Sequence, residues 1–82
     1  MELKDTVDGM LSDDYIERFK AEYRQLIIRI TKLYSIIEKA KINNLGFQLS
    51  SKVEQLDKQL DIMLRYASIL RERAATEGIN LD

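Results

Sequence analysis

Eighty-two residues with thirteen basic and fourteen acidic side chains, and with no histidine, cysteine or proline, make at most one small domain whose core is marginal without reinforcement. The missing cysteines and histidines exclude disulfides, thiol chemistry and the usual zinc sites, which leaves self-association as the reinforcement open to the chain. A net charge of −1 supplies no global field towards nucleic acid or an acidic membrane surface, and one third charged residues without proline lean towards long helices.

Residues 1–11 read as a leader. Leu3, Val7 and Met10 have helical spacing that Gly9 is expected to interrupt. The order is acidic, unlike the basic-then-apolar order of a signal peptide. No apolar run approaches the roughly 20 residues that span a bilayer. The expectation is a cytoplasmic protein without a membrane segment.

Ser12 or Asp13 can cap the first long helix, about 13–41, with Asp13, Asp14 and Glu17 near its positive end. Its apolar positions keep a strict 3-4 spacing: Ile16, Phe19, Tyr23, Leu26, Ile30, Leu33, Ile37, Ala40. Lys39 and Lys41 complement the dipole at the far end. The connection 42–50 holds Asn43, Asn44 and Gly46, which suit a reversal, and Leu45, Phe47 and Leu49, which can plug its open end. Ser51 and Glu54 have capping-box spacing for a second helix, about 52–77. Its stripe is Val53, Leu56, Leu60, Met63, Ala67, Leu70, Ala74, and Gly78 fits the left-handed residue that ends it, with Ile79 able to pack back near Ala74 and the tail, 78–82, frayed over Asn80–Asp82. Two helices of equal length across a short connection predict an all-α antiparallel hairpin spanning 1–82 as one domain, rather than a continuous rod.

Folding about Gly46 pairs the helices. Glu22 is then set opposite Arg73 as a flanking ion pair, and Arg29 opposite Tyr66. The same fold leaves apolar residues that one hairpin does not cover: Ile27, Ile62, Leu64 and Ile69, with Tyr66 beside them. Burying such side chains is worth roughly 1.5–3 kcal/mol each, so these positions predict the interface of a homo-oligomeric helical bundle. The competing arrangement is a monomer whose leader folds over the open face through Leu3, Val7, Met10 and Leu11.

Chemistry is sparse. The serines at 12, 50 and 51 read as helix caps rather than nucleophiles, and three scattered glycines make no phosphate loop. Asp5, Asp8, Asp13, Asp14 and Glu17 lack calcium-loop spacing. No enzyme, cofactor or metal is expected. Charge is nonetheless segregated, with the leader acidic and residues 18–41 basic; Arg65, Arg71 and Arg73 add to the second helix. Guanidinium groups match phosphates and tyrosines stack on bases. Arg29, Lys32, Tyr34, Arg65, Tyr66 and Arg73 are therefore candidate contacts for a phosphate-bearing ligand held between hairpins. The balanced charge disfavours duplex nucleic acid.

The run Tyr15–Leu26, continued by Arg29-Ile-Thr-Lys-Leu, resembles the "ERxxxEYxxLxxRxxKL" opening of small helical proteins of crAss-like and other phages. The likeness extends through Phe47, Leu49, Leu56-Asp-Lys-Gln-Leu and Met63-Leu-Arg-Tyr66-Ala-Ser-Ile-Leu70-Arg-Glu-Arg73, so it covers 15–73. It implies a phage setting, in the host cell cytoplasm, and no particular chemistry. By analogy of size and architecture with phage nucleotide-signal sponges, the expected function is a non-enzymatic anti-defence protein. Its oligomer would sequester a cyclic nucleotide or ADP-ribose-type immune signal. The alternative is a protein-binding inhibitor or coiled-coil adaptor that docks a host protein through the ridge Ile62, Tyr66, Ile69.

Overall fold

A computed structural model describes residues 1–42, 46, 49 and 51–81. Among them all regular structure is helical, with no strand. A 3-10 turn, Leu3–Thr6, runs directly into α1 (Val7–Met10), and the long helices α2 (Tyr15–Lys41) and α3 (Val53–Glu77) follow. The two long helices are antiparallel. Tyr15, the first residue of α2, hydrogen-bonds Glu77, the last of α3; Arg71 reaches Tyr23, and Lys41 lies 3.8 Å from Asp57. The longest dimension is 43 Å, close to the ~40 Å of one 27-residue helix at 1.5 Å per residue. The chain is therefore a hairpin and not a rod. No helix among the described residues is long and apolar enough to cross a membrane.

The 3-4 stripes meet as the seam. Leu70, Ala67 and Ala74 of α3 are buried against Phe19 and Leu26 of α2, with Tyr23, Ile27, Ile30 and Met63 packed around them. The two alanines let α2 approach, and the bulk of Phe19 and Leu26 fills the space they leave. Ile37 is also fully enclosed. Ile16 begins the same stripe yet stays exposed, because it stands beyond the edge of the packed cluster.

Helix boundaries fall close to the expected places, with different residues in the capping roles. Asp14, not Ser12 or Asp13, caps α2: its carboxylate accepts from the Ile16 N–H at 3.0 Å, while Ser12 Oγ accepts from the Asp14 N–H one step earlier. The Ser51–Glu54 box does not form. Lys52 occupies the cap position, and Gln55 Oε1 accepts from its N–H at 3.2 Å. An ammonium group has no lone pair to return the bond. Gly78 ends α3 as expected, in the left-handed region at φ 71°, with the Ile79 N–H on the Ala74 carbonyl at 2.8 Å. Ile79 packs back on the core as expected, and the tail is not frayed up to residue 81, since Leu81 packs there too. The expectations for Asn43, Asn44, Leu45, Phe47, Ser50 and Asp82 lie outside the described residues.

The leader folds back onto α2, and its backbone stays clear of α3. Gly9 does not interrupt it. Gly9 lies inside α1 at the crossing with α2, where a Cβ would come within 2.8 Å of Ala21 Cβ. Thr6 is buried beside it, its hydroxyl donating to the Leu3 carbonyl at 2.7 Å. Glu2 adds an ion pair to Lys32 at 3.7 Å. Val7, Met10 and Leu11 remain exposed. The leader thus covers the back of α2 around Ala21, not the ridge of α3.

Candidate functional site

The α2 residues Arg18, Glu22, Gln25, Arg29, Lys32 and Ile36 recur at alternating spacings of four and three, which sets them in one stripe beside the seam. On α3, Gln59, Tyr66 and Arg73 repeat every seven residues, as Leu3 and Met10 do in the leader. The α2 stripe floors a groove between the leader and α3, and the groove opens into two successive hollows. The larger, of about 450 Å³, is lined by Met10, Arg18, Gln25, Tyr66 and Arg73, with Tyr15 and Phe19 at the ends of the helices. The smaller, of about 230 Å³, is lined by Leu3, Arg29, Lys32, Ile36 and Gln59. The larger falls within the range of small-molecule sites. A third hollow, of about 350 Å³, lies on the other side of the leader against Ile27 and Ile28.

One end of the groove is closed by a polar cluster. Tyr15 donates its hydroxyl to Glu77 Oε1 at 2.7 Å and accepts from Arg73 Nη2 at 3.0 Å. Arg73 Nε reaches Glu77 Oε2 at 3.4 Å, and its guanidinium stands 5.0 Å over the Phe19 ring, which meets Tyr15 edge-on. The hydrogen bond to Glu77 raises the Tyr15 pKa above its ordinary value, since it needs the phenol proton; partial desolvation and the Glu77 charge act in the same direction. Arg18 is oriented by its own bond, Nη1 to the Ser12 carbonyl at 2.8 Å.

Four of the six expected contacts lie on this groove. Arg29 and Lys32 line the smaller hollow, and Tyr66 and Arg73 the larger. The facing pair Arg29–Tyr66 is thereby split between neighbouring hollows. Glu22 and Arg73 share the larger hollow, but Arg73 pairs with Glu77 in place of Glu22. Tyr34 is exposed on the opposite flank of α2, one heptad from Ile27. Arg65 points away from the seam and pairs with Asp61 at 2.9 Å. Tyr15, Arg18 and Gln25 are groove residues that the sequence reading passed over. Arg18 and Gln25 precede Lys32 at intervals of seven residues, and that spacing is the available signal. Among the described residues no three acidic side chains converge as a metal site; Asp5 and Asp14 bond helix-start N–H groups instead.

The residues expected at an interface divide between two flanks. Ile62 and Ile69 form one exposed ridge with Tyr66, whereas Leu64 is exposed on the other side of α3, the side on which Ile27 packs half-buried against the core.

A family model described as Sequestin matches residues 13–76, which takes in α2 and α3 up to Thr76 and leaves the leader outside. Comparison with curated proteins and with solved structures finds no match.

Proposed function

The chain belongs to the Sequestin family, and we propose that it sequesters a small phosphate-bearing nucleotide, of the cyclic nucleotide or ADP-ribose type, without transforming it. The family name is compatible with a sequestering role. The observation that carries the reading is the groove itself: Arg18, Arg29, Lys32 and Arg73 stand along one channel with the half-exposed Tyr66 beside them. Cationic side chains supply charge-assisted bonds to phosphate oxygens, and the Tyr66 ring offers a face to a base. A shallow groove holds such a ligand better when a second copy covers it. The exposed ridge of Ile62, Tyr66 and Ile69 borders the larger hollow through Tyr66, so assembly through that ridge would shut the ligand in. The resemblance to small phage proteins supports placing this role in phage anti-defence, as the removal of an immune signal from the host cytoplasm.

Calorimetry against cyclic di- and trinucleotides and ADP-ribose derivatives tests the proposal. At least one of them should bind. Arg18→Ala and Arg29→Ala should each weaken it by roughly ten- to a hundredfold, the range of one charge-assisted hydrogen bond. Arg65→Ala should leave it within about twofold. Silence across the panel would overturn the reading. A second reading draws on the same ridge, which is broad enough to seat an apolar helix of a host protein. It predicts a stoichiometric host partner whose binding Ile69→Asp abolishes.

A further inference from the structure

The Tyr15–Arg73–Glu77 cluster combines two donors suited to an anion with a carboxylate that already occupies them. Tyr15 and Arg73 line the larger hollow. Their polar hydrogens are directed to Glu77, the Tyr15 hydroxyl at 2.7 Å and Arg73 Nε at 3.4 Å. Glu77 is also at the wrong end of its helix. It is the last residue of α3, where the partial charge is negative and cations are favoured, and the last turn contains no basic residue after Arg73. What holds the carboxylate there is the Tyr15 hydroxyl from across the seam and Arg73 one turn back on the same helix. Its side chain is one-third exposed and is followed by the helix-ending Gly78, so it can turn outward without unwinding α3.

We propose that Glu77 is an internal occupant of an anion subsite, its carboxylate standing where a phosphate or pyrophosphate group of the ligand binds to the Tyr15 hydroxyl and the Arg73 guanidinium. Phosphate oxygens accept from a guanidinium fork as a carboxylate does. Binding is then an exchange: the ligand takes both donors and Glu77 moves into water. The exchange sets a threshold, since groups too weakly charged to displace the carboxylate are turned away. The ligand class here rests on the sequestering role proposed above, whereas the subsite is defined by the cluster alone.

Inorganic pyrophosphate is the probe, titrated into the full chain while the arginine Nε–H signals are followed by NMR. In the wild type it should shift the Arg73 signal. In Glu77→Gln, which removes the competing charge, it should bind roughly tenfold tighter, and Tyr15→Phe added to that variant should take back part of the gain. Circular dichroism checks that α3 persists. If Glu77→Gln unfolds, Glu77→Ala, which also removes the charge and has high helix propensity, gives the same comparison. Equal or weaker binding in the folded variant overturns the proposal, as does a response confined to Arg29 or the absence of any response. An ordinary i,i+4 ion pair predicts the first of these. Tightened pyrophosphate binding with a silent nucleotide panel would keep the subsite and remove the nucleotide reading. Nucleotide binding that Glu77→Gln leaves unchanged would do the reverse.

Discussion

Tyr15 ties the start of α2 to the end of α3 through a proton. Its hydroxyl donates to Glu77 only while protonated, and that bond, with desolvation and the Glu77 charge, lifts its pKa above 10.0. The folded state therefore keeps the proton to higher pH than the unfolded chain does. The contribution to stability is complete below the unfolded value of about 10 and is lost as pH rises through the folded value. The melting temperature of the wild type should fall on going above about pH 10 more steeply than that of Tyr15→Phe, which has no phenol to titrate. Thermal melts of both proteins from neutral pH upward check this, because lysines common to the two cancel in the comparison. Parallel curves would mean that the cluster holds no stability of its own.

The leader is positioned by one glycine. At Gly9 the missing side chain lets α1 cross α2 closely, and a methyl group there would meet Ala21 Cβ at 2.8 Å. Neither carbon can rotate away, so Gly9→Ala must shift the crossing or release the leader. Overpacking of this kind costs about 1–3 kcal/mol. Release of the leader limits that cost, since the seam between α2 and α3 does not depend on it. Hydrogen exchange should accordingly quicken across residues 3–10 in Gly9→Ala while the amides of α2 around Leu26 stay protected, and adding Ala21→Gly should restore the leader. The same residue shows what a sequence conceals. Glycine reads locally as a breaker, whereas its role here is a contact with a residue twelve positions on. The two long helices were legible because each repeats one local rule over many turns, and Gly78 was legible because the left-handed position singles out glycine. Capping was less so: Ser12, Asp13 and Asp14 are three good caps in succession, and spacing does not choose among them. In the groove, Arg29, Lys32, Tyr66 and Arg73 were readable as charged or aromatic residues flanking the seam. Tyr34 and Arg65 share that chemistry but stand on other faces. Tyr15 and Arg18 sit in the first turn of α2, where a helix start is the nearer explanation, and spacing within α2 does not reveal that the leader folds back to wall the groove beside them.

At the scale of the whole molecule the open question is how much apolar surface the hairpin leaves uncovered. Ile62, Tyr66 and Ile69 are 64%, 41% and 53% exposed, about half of each side chain. Pairing two copies through this ridge would bury the equivalent of roughly three whole side chains, or about 5–9 kcal/mol at the usual value for each. Association itself costs about 4–15 kcal/mol in lost freedom. The ridge alone therefore supports a weak, reversible assembly rather than a permanent one, and a ligand held beneath it would tighten the assembly by mass action. The second patch, at Leu64 on the opposite flank, lies too far round α3 to join the same two-fold contact. It extends the assembly only through a separate interface. Sedimentation velocity over a concentration series should show the wild type growing heavier as it approaches several hundred micromolar, with roughly tens to hundreds of micromolar as the midpoint. Ile62→Glu with Ile69→Glu should hold the chain at monomer mass with helicity unchanged, since both positions are half or more exposed. A wild type that stays monomeric throughout would leave the groove open on one side, and a sequestering role would then rest on the hairpin and its leader alone.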